Sequence, residues 1–155
     1  MPTHDALETR LEEKLHREIP IARQMGFTVT RVGTDGADCL LPLRPNTNHL
    51  GTQFGGSLYA AGALSCYTAL LGLLARLGQE TKNIVITDGQ IRYLSPGTGD
   101  VVLQARLPTS ELSLFETQLR KKGRARLKIH TQILVGSRLV AEVHGEYLAR
   151  STSTP

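Results

Sequence analysis

Residues 57–77 form an apolar run with almost no polar face. Leu58, Ala60, Ala61, Leu64, Leu70, Leu71, Leu73, Leu74 and Leu77 are spread around the whole helical circumference. A helix of that kind is stable only inside a protein or across a membrane. At roughly 20 residues the run is also long enough to span a bilayer. Ser57, Ser65, Tyr67 and Thr68, together with several Gly and Ala, favour the interior, because small residues let a sheet close tightly around a helix. The remaining segments must then supply that sheet.

They read as strands. Residues 27–32 and 37–43 alternate and are joined by the turn signal Thr34-Asp35-Gly36. Pro42 places the end of the second near a sheet edge. Residues 83–94 put Val85, Thr87, Gly89, Ile91 and Tyr93 on one face and Asp88, Gln90 and Arg92 on the other. Residues 101–107, 127–135 and 139–149 alternate in the same way, and Gly136-Ser137 is the turn between the last two. Residues 5–19 form an amphipathic helix on Leu7, Leu11, Leu15 and Ile19, with Asp5 or Thr3 as its cap. Pro20 opens a second short piece that Gly26 stops. Residues 108–123 are polar, with one helical turn near 111–119, and 151–155 read as a frayed end. The expected layout is α+β, a single domain over 1–155 in which an antiparallel sheet curls around one buried helix.

Composition removes several classes of function. Aromatics make up 5% of the chain and Trp is absent, so the basic residues lack the stacking partners that nucleic-acid binding uses. A net charge of +4 favours an acidic or phosphorylated partner. Cys39 and Cys66 have no paired spacing, which fits a reduced, cytoplasmic setting. The charged stretch 1–20 has no apolar core of the kind a signal peptide needs. His130 and His144 lie on polar strand faces without a ligand partner at useful spacing, so no metal and no cofactor are expected.

The stretch that can carry chemistry precedes the apolar run: Pro45-Asn46-Thr47-Asn48-His49-Leu50-Gly51-Thr52-Gln53-Phe54-Gly55-Gly56-Ser57-Leu58. A polar loop here enters a helix through two glycines. The junction gathers unpaired backbone N–H groups and the positive end of the helix dipole. Glycines let a ligand come close to the backbone. A carbonyl or an oxyanion is well suited to such a place.

The order strand–strand–loop–buried helix–strands, with a Gly-Gly entry to the helix, resembles the hotdog fold of acyl-thioesterases and dehydratases over essentially the whole chain. Three stretches sharpen the match. They are Pro45-Asn46-Thr47-Asn48 with Thr52-Gln53-Phe54-Gly55-Gly56-Ser57-Leu58-Tyr59, then Asp88-Gly89-Gln90-Ile91-Arg92-Tyr93-Leu94-Ser95-Pro96, and the basic strand Gly123-Arg124-Ala125-Arg126-Leu127-Lys128. These resemble the thioesterase domains found at the C-terminus of two-domain acetyltransferase-like proteins and as stand-alone chains, some of which act as malonyl-ACP decarboxylases. The resemblance implies that Asn48 is catalytic. It implies that Asn46, His49, Thr52, Phe54, Gly55, Gly56 and Ser57 surround the substrate, although Asn46 also reads as a residue holding the loop. Asp88 and Arg92 are candidates for a supporting role or for a pair across a homodimer built on residues 83–94; a tetramer remains open. Arg120, Arg124, Arg126 and Lys128 are candidates for docking an acyl carrier protein or a CoA thioester, acidic carriers with a phosphodiester arm.

One departure bears on chemistry. Better-known hotdog thioesterases resemble a His-Gly-Gly entry with an acid seven residues into the helix. Here those positions are Phe54 and Ala63, and no acid lies between Asn48 and Arg76. Thioester hydrolysis benefits from a base. Decarboxylation of a malonyl thioester needs chiefly a grip on the developing enolate oxygen. The expected activity is therefore decarboxylation of malonyl-ACP to acetyl-ACP in fatty acid synthesis. Thioester hydrolysis and non-catalytic binding of an acyl thioester are the alternatives.

Overall fold

The apolar run is the centre of the molecule. In the computed structural model, which describes residues 6–152, it is the helix α3, Gly55–Arg76. Thirteen of its 22 residues are buried. The helix is long and apolar enough to cross a membrane, but it is the core helix of a wrapped sheet. Its buried hydroxyls need no outside partner: Ser65 donates to Ala61 O at 2.8 Å and Thr68 to Leu64 O at 2.7 Å. Such back-bonding one turn earlier is how Ser and Thr are tolerated in a dry helix.

The sheet has six antiparallel strands: β1 (Thr28–Gly33), β2 (Gly36–Leu41), β3 (Ile84–Tyr93), β4 (Val101–Arg106), β5 (Arg124–Val135) and β6 (Arg138–Arg150). Their spatial order is β1-β2-β4-β5-β6-β3. This α+β arrangement around one helix is the hotdog fold. Pro42 lies just past β2, and β2 sits between β1 and β4, so Pro42 does not mark a sheet edge. The expected cap at Asp5 or Thr3 lies outside the described residues, as do positions 153–155 of the expected frayed end.

The two sheet edges are treated differently. Along β1 the helix α1 (Ala6–Glu18) lays Leu11 and Leu15 on the core and turns acids toward the strand. Glu12 Oε1 accepts from Val29 N at 2.8 Å and Glu8 Oε1 from Val32 N at 2.8 Å. Those contacts occupy edge amides that would otherwise be free to recruit another strand. A short helix, α2 (Pro20–Gln24), follows α1. Among the described residues the opposite edge, β3, has no such cover, and Val85, Ile86, Tyr93 and Leu94 are exposed beside it.

The alternation expected for residues 83–94 is half right. Gly89, Ile91 and Tyr93 share the inner face, opposite Gly145, Val143 and Ala141 of β6. Val85 does not: it pairs with Leu148 on the outer face, while Ile84 and Ile86 turn inward opposite Ala149 and Tyr147. A bulge between Ile86 and Asp88 inserts one residue and reverses the phase. The polar segment 108–123 folds as a helix, α4 (Leu112–Lys122), which buries Phe115 and Leu119. Gly123 ends it with φ 70°, and β5 therefore begins at Arg124.

Candidate active site at the start of the core helix

The loop before α3 closes on itself. Asn48 N donates to Thr52 O at 2.8 Å, Thr47 bridges Gln53, and Phe54 N donates to Asn46 O at 2.7 Å. Gly51 turns the tip with φ 76°. Gln53 N donates to Gly97 O at 2.8 Å, which ties the loop to the segment after β3. Asn46 is the internal post. It is 3% exposed, and its amide donates to Met25 O at 2.8 Å and Pro42 O at 2.9 Å. Both amide hydrogens are used, so Asn46 holds the loop.

Asn48 is half-buried and works at the loop tip. Its Oδ1 accepts from Leu50 N at 2.9 Å and Thr52 N at 3.1 Å. Its Nδ2 donates to Thr52 Oγ1 at 2.9 Å and to Gln53 O at 3.4 Å. The last bond is long and weak. The Thr52 hydroxyl, accepting from Asn48, keeps its own hydrogen to donate.

Beside this tip α3 begins. Phe54 occupies the N-cap position in extended conformation and supplies no side-chain acceptor, and the first turn holds no acid. Gly55 and Gly56 open the helix, so no preceding turn accepts from their amides. Among the described residues no side-chain cap and no first-turn acid offsets the positive helix end. Tyr93, at the end of β3, donates its hydroxyl to Gly55 O at 2.7 Å and pins the entry.

Asn48, Thr52, Gly55, Gly56, Tyr93 and Leu94 help to line an open pocket of about 520 Å³. Among the described residues, those lining it include no carboxylate and no imidazole. His49 and Phe54, each next in sequence to a lining residue, are exposed and do not line it, and Ser57 is half-buried in the first turn. Tyr93 was not foreseen as a site residue; its signal was an aromatic inside the Asp88–Pro96 stretch that carries the resemblance.

Asp88 and Arg92 lie elsewhere. Register places them opposite Glu146 and Glu142, on the outer face of the sheet, so within one chain neither enters the Asn48 pocket. Arg124 and Arg126 flank a depression of about 320 Å³ with Lys122 and Arg150. Arg150 joins them because it pairs with Arg124 across β5 and β6, which spacing alone hides. Arg126 is ion-paired to Glu146 at 3.1 Å and Arg120 to Glu116 at 2.9 Å. Lys128 borders a separate outer-face cavity instead.

Along α3, Ala60, Ala63, Leu64 and Tyr67 meet Ile84 and Ile86 of β3 in an apolar groove of about 490 Å³. The Tyr147 hydroxyl donates to Ala63 O at 2.6 Å. Burial pushes the Tyr147 phenol well above its ordinary range, so it stays neutral. Burial also pushes the Cys39 and Cys66 thiols up to about 12, which leaves both as inert core residues.

Known structures share this frame. A Shewanella oneidensis protein described as a putative thioesterase aligns with TM-score 0.83 and 27% identity, over 94% of this chain and 99% of that one. A Chlorobaculum tepidum protein of unknown function aligns with TM-score 0.85 and 25% identity, over 96% of each chain. A Pseudomonas aeruginosa protein described as a probable thioesterase shares the fold at TM-score 0.75 and 21% identity, over 92% of this chain and 95% of that one. No curated protein matches. The family model described as "Putative thioesterase (yiiD_Cterm)" matches residues 8–151, and the chain belongs to that family.

Proposed function

We propose that the chain decarboxylates malonyl-ACP, stabilising the enolate at the start of α3. The observation that carries this reading is the pocket's chemistry: uncapped helix amides and hydroxyl and amide donors, with no carboxylate or imidazole in the lining. The malonyl carboxylate leaves as carbon dioxide, and the electron pair of the broken C–C bond passes through the α-carbon onto the thioester oxygen. The amides of Gly55 and Gly56 and the Thr52 hydroxyl meet that oxygen. Asn48 releases its weak bond to Gln53 O and donates there as well. The enolate carbon then takes a proton, from water or from exposed His49, and acetyl thioester remains. Each such donor contributes more in the transition state than in the ground state, which is the condition for catalysis.

The site is completed in a homodimer paired through β3. With a two-fold axis near Gln90, Leu94 of one chain meets the partner's Ile86. The apolar groove beside Ile84 and Ile86 then abuts the partner's Asn48 pocket and takes the carrier arm or acyl chain. The basic depression around Arg124 and Arg150 lies nine residues along β6 from Ala141, which faces Tyr93. That is about 30 Å of strand, so the patch serves the site of the opposite subunit.

Turnover in deuterium oxide tests the mechanism. The carrier-bound acetyl product should gain one deuterium on its methyl group. Release of malonate and free carrier would instead mark a hydrolase.

A further inference from the structure

We infer that His130, Glu142 and His144 form a binding site for a first-row divalent cation, zinc by preference, on the outer face of the sheet. The three are separated in sequence, but β5 and β6 bring them together. His130 pairs directly with His144, and Glu142 stands two residues before His144 on the same face. The two imidazoles stack with centroids 4.3 Å apart and planes at 15°. One ligand atom from each of the three residues lies within 4.8 Å of the others.

A second observation points to a ligand. Nε2 of His130 is buried and has no hydrogen-bond partner. A buried polar atom left unpaired is rare and calls for an occupant. The rings border a cavity of about 500 Å³ that also receives Asp88, Gln90 and Glu146.

The surrounding charges leave room for a cation. Arg106, opposite His130 on β4, also lines the cavity, but its guanidinium is already paired with Asp38 Oδ1 at 2.8 Å. Lys128 and Arg92 flank the site on β5 and β3, opposed by Glu146, Asp88 and Glu142. Two imidazoles and one carboxylate with a fourth position open to water match zinc, with bonds of about 2.0–2.2 Å. A tetrahedral ion needs its donors about 3.3 Å apart, and rotation of His144 and Glu142, neither of them fully buried, closes the difference. The ion would clip β5 to β6 on the face away from α3.

The test uses the full chain without a histidine tag, stripped by chelator. Zinc is titrated calorimetrically, and cobalt is added separately as a spectroscopic probe. The expected result is one zinc per chain, bound at micromolar concentration or tighter, with the visible bands of tetrahedral cobalt. His144→Ala and Glu142→Gln should each weaken zinc at least about tenfold while the circular dichroism spectrum is unchanged. Uptake well below one zinc per chain would overturn the assignment, as would variants that bind zinc as the wild type does.

Discussion

At the scale of the residue, Asn48 has two tasks. Its oxygen holds the backbone at Leu50 and Thr52, and its nitrogen is bonded to Thr52 and weakly to Gln53. Substitutions separate the two. Asn48→Asp keeps both oxygen-accepted bonds but donates nothing and places negative charge beside the forming enolate. Its kcat for decarboxylation should fall by about 10²–10³, with a melting temperature near that of the wild type. Asn48→Ala should lose comparable activity and also melt lower, because the loop tip loses its internal bonds. Melting curves beside steady-state rates check both. Full activity in Asn48→Asp would remove the amide from the mechanism. An asparagine readily bonds the backbone of its own turn, and Asn48 does so here. That Asn46 is buried and committed to Met25 and Pro42 was not legible from sequence, since Met25 lies 21 residues earlier.

At the scale of the element, β1, β2 and β4 are tied on their outer face by Arg31, Asp35, Asp38 and Arg106. Burial alone would raise the Asp38 carboxyl, but hydrogen bonds from Arg31 and Arg106 outweigh it and hold the group below its ordinary value of 3.8. A depressed carboxyl stabilises the fold above its unfolded pKa and loses that contribution as pH falls through the folded value. Asp38→Asn should therefore cost on the order of 1 kcal/mol at pH 7, given partial exposure of the network. The gap between variant and wild type should shrink below about pH 3.8, as urea melts at the two pH values would show. An equal gap at both would assign the effect to packing. Elements with a regular period were readable from sequence: α3 by its apolar circumference, and β4, β5 and β6 by their alternation. Val85 was misplaced because a bulge adds a residue without any mark such as Gly or Pro at Thr87. The helix α4 was faint because only Phe115 and Leu119 of its 11 residues are buried. That His130 and His144 are neighbours was hidden because register, not spacing, brings them together.

At the scale of the whole molecule, one edge of the sheet is sealed by α1 and the other is uncovered among the described residues and partly apolar, which is why the proposed dimer is built on β3. Light scattering at micromolar concentration should give a dimer; a monomer would remove the composite site. Reversing charge at Arg124 and Arg126 should raise KM for a carrier-protein substrate, with strong salt dependence and a weaker effect on the CoA analogue. Equal, salt-independent effects on both would leave the patch a solvated face. The central claim is that a helix entry without a base removes carbon dioxide and leaves the thioester intact. The intact mass of the carrier protein after incubation of malonyl-ACP with the enzyme tests it most directly. Acetyl-ACP is expected, with the mass of carbon dioxide lost; free carrier bearing an unacylated arm, or malonyl-ACP unchanged, would contradict decarboxylation at this helix entry.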